Sequence, residues 1–259
     1  MSIEEEVSNQ FTNVPRTALI TGCSAGEFGS ALVEEFHAKG LHVFATARSR
    51  SKIPYLEPLP SVKILELDVT SQPSITAALE NRQSVVLPAL DTSDETAKRL
   101  FEVHFFGVLS VNQAFRPLVI AARQTIMNVC SISGVLNAPW QGIYNTSKAA
   151  LMSWSETPRL QPQPFCVSVV SLVTGSVYTN ITSQDNIILR EDSFYHKATD
   201  AIRKRGRGED RPANSTPAEF AGQVAGDVFG GAEGIMSSFA PGLVLDRMLK
   251  DGTGLDQLP

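Results

Sequence analysis

Short apolar runs alternate with amphipathic stretches along the chain up to about residue 180. Runs of this length are typical of strands buried in a parallel sheet, and the stretches between them have the spacing of helices. The predicted strands are Thr17–Ile20, Leu41–Ala47, Val62–Leu67 and Thr125–Val129. The alternation predicts an α/β fold with one doubly wound parallel sheet flanked by helices.

The segment between the third and the last of these strands is short. Residues 69 to 100 must provide a crossover helix, a strand and a connection into the helix predicted around Glu95–Leu118. Ser84–Leu87 is the sole strand candidate there. At about 3.3 Å per residue it is little more than half as long as a typical strand. We therefore expect the sheet to be compressed at this position.

A glycine-rich turn joins the first strand to the first helix. Gly22, Gly26 and Gly29 lie between that strand and the amphipathic run Ser30–Lys39. Glycines allow tight backbone angles and close approach of a ligand, and a helix amino terminus attracts a pyrophosphate. An ordinary loop is the alternative, but the flanking strand and helix favour dinucleotide binding. The other cofactor contacts predicted in this turn are Ser24 and Phe28.

A basic segment, Arg48-Ser49-Arg50, follows the second strand. In a βαβ unit the end of this strand faces the adenosine ribose, where an arginine favours a 2′-phosphate. We therefore predict NADP(H) as cofactor, with Arg48 as the main contact and Ser49 or Arg50 as helpers. A solvated basic turn is the alternative.

Asp68 and Val69, at the tip of the third strand, are further candidates for cofactor contact. Asp68 would accept a hydrogen bond from the adenine amino group. It would equally well cap a helix that begins near Pro73, and the sequence leaves both roles open.

Ser131, Tyr144 and Lys148 form the most informative combination in the sequence. Ser131 follows the strand Thr125–Val129, at the sheet edge where open parallel sheets bind ligands. If the chain is helical from about Trp140, Tyr144 and Lys148 share one face, and the ammonium then favours the phenolate. A phenol tuned in this way is a usable proton donor for carbonyl reduction.

These motifs together resemble the short-chain dehydrogenase/reductase family, from Arg16 to about Val228. The segments Trp140–Tyr144 and Val173–Asn180 are similar to fungal NADPH-dependent reductases of the 1-acyl-dihydroxyacetone-phosphate reductase type. The resemblance implies a Rossmann-type fold. It also implies a homodimer or homotetramer that pairs through the helices at 94 to 122 and 141 to 160.

The resemblance implies a role for each catalytic candidate. Ser131 would polarise the carbonyl, Tyr144 would donate the proton, and Lys148 would hold the nicotinamide ribose and lower the pKa of the tyrosine. Val177 and Thr179 would contact the carboxamide end of the cofactor.

Three departures from the family pattern bear on activity. The Asn-Asn-Ala-Gly segment of the fourth strand is missing. His104 stands where the family usually has a catalytic asparagine that anchors a relay water; an imidazole holds a water too, although a packed or surface histidine is the commoner case. Glu27 and Phe28 replace a small residue and an aliphatic one in the glycine turn, and a carboxylate that faces a pyrophosphate weakens its binding.

Composition limits the other function classes. The chain has 259 residues, 42% of them hydrophobic, and a formal net charge of −5, which gives no electrostatic footprint for nucleic acid. Three scattered cysteines at 23, 130 and 166 fit reduced thiols better than a disulfide framework or a metal site, so no metal is predicted. The acidic start has no signal-peptide core, and no uncharged apolar stretch reaches about 18 residues.

The expected organisation is a flexible tail at 1–14 and a single domain at 15–259. Within the domain we predict a substrate flap at about 180–212, with Phe194, Tyr195 and Ile202 as apolar lining, and a C-terminal helical segment at 213–259. Thr216, Pro217 and Glu219 give the start of that segment a capping signature. We expect a cytoplasmic protein with no membrane span; peripheral membrane or lipid-droplet association stays open.

The sequence therefore predicts an NADP(H)-dependent oxidoreductase that interconverts a small-molecule carbonyl and a secondary alcohol, in fungal secondary or lipid metabolism. One alternative keeps the fold and uses the Tyr144–Lys148 pair for non-redox chemistry such as isomerisation, cyclisation or dehydration. A third hypothesis is a non-catalytic nucleotide-binding protein.

Overall fold

The computed structural model describes residues 16–69, 85–157, 165–179, 187–210 and 215–229. These residues fall into two compact units. The first comprises the described residues up to Asp68 and from Thr216 onward, and the second comprises those from Val69 to Ser215. The predicted tail, the helix expected near Pro73 and the chain beyond residue 229 lie outside the described residues, and the single domain stays a prediction.

Strands and helices alternate in the described residues as the hydrophobic pattern predicts. The strands are β1 (Thr17–Ile20), β2 (His42–Ala47), β3 (Val62–Glu66), β4 (Thr125–Ser131) and β5 (Ser168–Thr174). The helices are α1 (Phe28–Ala38), α2 (Asp94–Phe101), α3 (Gly107–Ala122), α4 (Gly142–Glu156), α5 (Thr199–Arg207) and α6 (Pro217–Phe229). A π turn at Glu102–Phe106 joins α2 to α3.

The first unit is built on a parallel sheet with the order β1-β2-β3. Helix α1 packs on this sheet and on α6, because its apolar residues recur on one face. Two aromatic pairs fix the α1–α6 contact: Phe28 lies 5.0 Å from Phe220, and Phe36 lies 5.4 Å from Phe229, between ring centroids. The glycine turn is thus held between a buried strand and an anchored helix.

The start of α6 confirms the predicted capping signature. The Oγ1 of Thr216 accepts a hydrogen bond from the Glu219 N–H at 3.2 Å, and the Glu219 carboxylate accepts one from the Thr216 N–H at 2.7 Å. Pro217 occupies the first helical position, where no N–H is needed. The hydrogen bonds that the Thr216 backbone N–H and hydroxyl donate to its carboxylate lower the pKa of Glu219.

The second unit contains the parallel pair β4-β5, with α4 packed against both strands. The register places Ser131 opposite Thr174 at the carboxyl ends of the two strands. Strand β4 is two residues longer than predicted, so Ser131 is the last residue of the strand instead of following it. Helix α4 begins at Gly142 and carries both Tyr144 and Lys148.

A chain of polar side chains ties α3, β4 and α4 together. Asn112 Nδ2 donates to Asn128 Oδ1 at 3.2 Å, and Asn128 Nδ2 donates to Ser155 Oγ at 3.0 Å. Asn128 and Ser155 are buried, and each such bond satisfies a polar group that would otherwise be costly to bury. The network therefore fixes where α4 lies on the strand that ends in Ser131.

The predicted fourth strand at Ser84–Leu87 is wrong for the residues described. Residues 85–87 form no strand; Leu87 makes one isolated parallel bridge with Gln141, and its N–H donates to the Trp140 carbonyl at 2.8 Å. Pro88 follows and has no N–H to continue a ladder. Ser84 lies outside the described residues.

The three residues predicted to line the substrate flap lie in different environments in the segment 187–210. Ile202 is fully buried in a cluster with Val86 and Trp140, so it is a core residue and not a lining residue. The ring of Tyr195 packs edge-on against Trp140, with centroids 5.7 Å apart. Phe194, in contrast, is 87% exposed.

Trp140, directly before Gln141 and α4, has a left-handed backbone with φ +65°. An L residue with a bulky side chain rarely adopts this conformation, which costs about 1–3 kcal/mol. The surrounding contacts must therefore offset the strain at the entrance to α4.

The continuous helical run from Asp94 to Ala122 is long and apolar enough to cross a membrane by length and composition. One such helix is weak evidence, because helices of water-soluble proteins pass the same test. Elsewhere in the described part of the chain no helix meets these criteria.

Gly134 lies against the backbone of α4, which leads to a prediction about stability. A Cβ at this position would lie 3.0 Å from both the Ala149 nitrogen and the Lys148 carbonyl carbon, and neither backbone atom moves easily. We expect Gly134→Ala to lower the free energy of unfolding by about 1–3 kcal/mol. Gly175→Ala is the matched control, since a Cβ there meets nothing within 4 Å. Urea denaturation measures both, and equal effects would contradict the close approach.

Candidate active site

The glycine turn has the geometry of a phosphate cradle. Gly22 and Gly26 have φ values of +71° and +77°, which other residues rarely adopt. A Cβ on Gly29 would lie 2.6 Å from the Gly22 carbonyl oxygen, so the turn folds back tightly on itself. The first backbone N–H groups of α1 follow directly, and such helix ends bind anions. These residues fit the pyrophosphate of a dinucleotide.

Glu27 and Phe28 complete this turn. Glu27 is the N-cap residue of α1 without a side-chain capping bond, and burial raises the pKa of its carboxyl. The ring of Phe28 packs against Phe220 of α6. The predicted contact of Phe28 with the cofactor stays a prediction. Ser24 is half-buried beside them.

The two arginines of the basic segment after β2 differ in their contacts. Arg50 contacts two carboxylates: its backbone N–H donates to Glu66 at 3.1 Å, and its guanidinium lies 3.5 Å from Glu57. Arg48 is exposed, and the half-buried Ser49 shares a 2.8 Å hydrogen bond with Ser51. Arg48 is therefore the better candidate for a 2′-phosphate.

Asp68 and Val69 follow β3 but belong to different units. Asp68 is the last residue of the first part of unit one, two positions beyond the strand. Val69 opens unit two, where its side chain packs on Gly107 so closely that a Cβ there would lie 2.9 Å from Val69 Cγ2. Their predicted cofactor contacts stay predictions.

In the second unit, β4 and α4 bring the catalytic candidates into one neighbourhood. Ser131 is buried at the end of β4, and its Oγ accepts a hydrogen bond from the Ser133 N–H at 3.2 Å. Lys148 Nζ donates to the Val129 carbonyl of the same strand at 3.0 Å. Tyr144 lies one helical turn before Lys148 and is half-buried.

The ammonium of Lys148 is the most strongly perturbed group among these candidates. Burial lowers its pKa from 10.5 to about 8, opposed in part by the nearby Cys130 thiol. Burial has the opposite effect on that thiol and raises its pKa. Titratable groups with perturbed pKa values concentrate at functional sites, which favours a chemical role for Lys148.

His104 contacts α4 twice. Its Nδ1 lies 3.0 Å from Ser147 Oγ, and its ring packs edge-on against Tyr144 with centroids 5.5 Å apart. Ser147 Oγ donates to the Tyr144 carbonyl at 2.8 Å, so it accepts from His104 and assigns the Nδ1–H tautomer. His104 is buried in the π turn, a feature frequent at functional sites.

Ser147 is a residue that the sequence reasoning missed. It is fully buried and connects His104 to the backbone of Tyr144. Its position three residues after Tyr144 and one before Lys148 places it on the same helical turn, which is the signal that could have indicated it.

Val177 and Thr179 lie beyond the end of β5. Val177 forms an isolated parallel bridge with Ser215, and the Tyr178 N–H donates to the Ser215 carbonyl at 3.1 Å. Thr179 is the last residue before the undescribed segment 180–186. Both follow the strand that pairs with β4, and their contact with a carboxamide stays a prediction.

The three cysteines are free thiols, and the described residues hold no group of three or more His, Cys, Asp or Glu side chains suited to a metal ion. Cys23 lies buried in the glycine turn, where burial raises its thiol pKa to about 12. Such a thiol is inert as a nucleophile at neutral pH.

Comparison with known proteins gives a consistent result. A family model described as short chain dehydrogenase matches residues 16–187. The chain is 40% identical to the short-chain dehydrogenase ptmH of Penicillium ochrochloron, over 91% of this chain and 95% of that protein. It is 35% identical to the NADPH-dependent 1-acyldihydroxyacetone phosphate reductase of Schizosaccharomyces pombe, over 69% of this chain and 67% of that protein.

A solved structure shows the same fold. The short-chain dehydrogenase from Streptomyces avermitilis superposes with a TM-score of 0.70 at 23% identity, covering 95% of this chain and 94% of that one. This likeness confirms the predicted α/β Rossmann-type fold with a parallel sheet flanked by helices.

The depressed pKa of Lys148 predicts a pH dependence of stability. Between about pH 8 and 10.5 the unfolded chain binds more protons than the folded protein, so the free energy of unfolding rises with pH in this window. We expect the contribution of Lys148 to increase by about 2 kcal/mol from pH 8 to pH 10. Urea denaturation of the wild type and of Lys148→Met at both pH values isolates the contribution of Lys148. If the free energies of unfolding of the two proteins differ by the same amount at both pH values, the burial of the ammonium is contradicted.

Proposed function

The chain belongs to the short-chain dehydrogenase family, and on this basis we propose that it interconverts a carbonyl and a secondary alcohol with NADP(H). The observation that carries the proposal is the half-buried Lys148, whose pKa is lowered by desolvation, one helical turn from Tyr144 on a helix packed against the strand that ends in Ser131. The proposed substrate is a small molecule in fungal secondary or lipid metabolism, and the likeness to a 1-acyldihydroxyacetone phosphate reductase supports the lipid branch of this proposal.

The cofactor supplies the hydride, which carries two electrons to the carbonyl carbon, and the protein supplies the proton. Tyr144 transfers its phenolic proton to the carbonyl oxygen and regains a proton from water. Lys148, one helical turn away on α4, would favour the phenolate by its positive charge. At neutral pH a lysine with a pKa of about 8 is mostly charged, so this effect is present.

Ser131 orients the carbonyl. Because its Oγ accepts from the Ser133 N–H, its own hydrogen is directed to another acceptor, and a substrate carbonyl is such an acceptor. The donated hydrogen bond strengthens as charge develops on the oxygen in the transition state. Rigid placement at the end of β4 means that this donor needs little reorganisation.

The glycine turn and Arg48 support the choice of cofactor. The positive φ values at Gly22 and Gly26 fit a pyrophosphate, and an arginine that is not committed to a carboxylate fits a 2′-phosphate. The likeness to an NADPH-dependent reductase supports the same choice.

A non-redox reaction of the Tyr144–Lys148 pair is the second candidate. It is favoured by His104 in place of the family asparagine and by the missing strand at residues 85–87. NADPH fluorescence, followed over time in the presence of ketones, separates the redox from the non-redox reaction. An isomerase or cyclase that does not use the nicotinamide oxidises no NADPH with any ketone.

Replacement of Tyr144 tests the proton donor. Tyr144→Phe keeps the ring against His104 but removes the acidic hydroxyl, so kcat should fall by about 10²–10⁴-fold with NADPH affinity unchanged. Loss of NADPH absorbance with a panel of ketones and aldehydes measures turnover. The exposed Tyr178→Phe is the control and should keep full activity. Comparable turnover in both variants would refute the role of Tyr144.

Cofactor choice is tested by a matched pair of arginine variants. We expect Arg48→Gln to raise the Kd for NADPH about 10- to 100-fold and to leave NADH binding nearly unchanged, because a charge-assisted bond to the 2′-phosphate is lost. Arg50→Gln should have a smaller effect, since that guanidinium already faces Glu57. Equal weakening of NADPH and NADH by Arg48→Gln would contradict the assignment.

A further inference from the structure

Trp140 combines a strained backbone with a buried side chain. The described non-glycine residues with positive φ are Ser61, Arg123, Trp140 and Cys166. Of these four, only Trp140 is buried, at 6% exposure. A strained conformation at a large residue persists only where the surrounding structure holds it, and such residues concentrate at functional sites.

Two sets of contacts hold Trp140 in this conformation. Its carbonyl oxygen accepts the hydrogen bond from the Leu87 N–H at 2.8 Å, which fixes the peptide plane that enters α4. Its indole is buried in the cluster with Val86 and Ile202, and the ring of Tyr195 packs edge-on against it at an interplanar angle of 75°. Edge-on pairs of this kind contribute beyond the apolar area that they bury.

The segment that presents Tyr195, residues 187–198, is itself anchored. We name this segment the strap. Ser193 is buried, and its Oγ donates to Asp91 Oδ2 at 2.6 Å while it accepts from the Tyr195 N–H at 3.1 Å. Ile187 and Leu189 of the strap are buried in the same cluster as Trp140. The position of the Tyr195 ring is therefore set by a hydrogen-bonded turn and not by its side chain alone.

Trp140 lies directly before the helix that carries Tyr144. Gln141 follows it as the N-cap residue of α4, and the Gln141 carbonyl accepts from the Asn145 N–H at 2.8 Å. Tyr144 lies within this first turn. A change in the backbone angles of Trp140 would redirect the first turn, whereas the later part of α4 is fixed by Lys148 and Gly134.

We propose that Trp140 is a positioning residue through which the strap holds Tyr144 in place. The Tyr195 ring holds the Trp140 indole in its buried position. The buried indole keeps the Trp140 backbone left-handed, and that backbone sets the first turn of α4. Loosening of the strap would release the strain and allow Tyr144 to move. The inference rests on the proposed function only for the role that it gives to Tyr144.

Hydrogen–deuterium exchange tests the structural link without any need for activity. In Tyr195→Ala, amides 142–148 should exchange about tenfold faster, because the contact that seats Trp140 is lost, while amides 149–156 should keep their wild-type rates. Tyr195→Phe is the matched control, since it keeps the ring and should behave as the wild type. Unchanged exchange at 142–148, or equal acceleration along the whole of α4, would overturn the proposal.

A double variant separates backbone strain from packing. Glycine adopts the left-handed conformation without strain, so in a Trp140→Gly background the change Tyr195→Ala should accelerate exchange at 142–148 by less than about twofold. Full acceleration in that background would show that Tyr195 acts on α4 by another route, which refutes the role of Trp140.

Steady-state kinetics then test the link to catalysis. Tyr195→Ala should lower kcat about tenfold with less than about threefold change in the KM for NADPH, because the proton donor is displaced while cofactor binding is kept. An unchanged kcat combined with fast exchange at 142–148 would overturn the link to Tyr144. If the wild type reduces no carbonyl, the proposed function fails, and the exchange experiment still decides whether the strap holds α4.

Discussion

The burial of one charged group, the Lys148 ammonium, is the constraint on which the candidate site depends. An ammonium removed from water needs a hydrogen-bond acceptor, and the carbonyl of Val129 provides one on the adjacent strand. The bond fixes α4, the helix that carries Tyr144, against the strand that ends in Ser131. The same burial lowers the lysine pKa into the range where its charge is sensitive to pH. The position of α4 and the lowered pKa of Lys148 thus have one physical cause.

The helix that carries these residues is held by contacts of different kinds along its length. Gly134 approaches its backbone near Lys148, Asn128 reaches Ser155 near its end, and His104 binds Ser147 in its middle. The entrance of the helix depends on the strained backbone of Trp140. The middle and the end of the helix are thus held by direct contacts, whereas its first turn, which carries Tyr144, begins directly after a strained residue.

The sequence was sufficient where local pattern decides the outcome. Apolar runs predicted β1 to β4 because their periodicity reflects burial in a parallel sheet, and Thr216 and Glu219 predicted the capping box because both partners are three residues apart. The pattern failed at residues 85–87, where an apolar run has the appearance of a strand. Pro88 prevents a ladder there, and the Leu87 N–H donates instead to the carbonyl of the distant Trp140. The His104–Ser147 bond and the Lys148–Val129 bond join residues 43 and 19 positions apart, so no local pattern could reveal them.

The placement of the three thiols has a consequence for handling and for oxidative conditions. Cys23 lies in the glycine turn but is fully enclosed, and its high pKa keeps it protonated, so peroxides and alkylating agents have little access to it. Cys130 beside Ser131 is enclosed in the same way. Cys166 alone among the three is exposed, so oxidative damage and cross-linking between molecules begin there. The two enclosed sulfurs, one in the glycine turn and one beside Ser131, behave instead as apolar packing atoms.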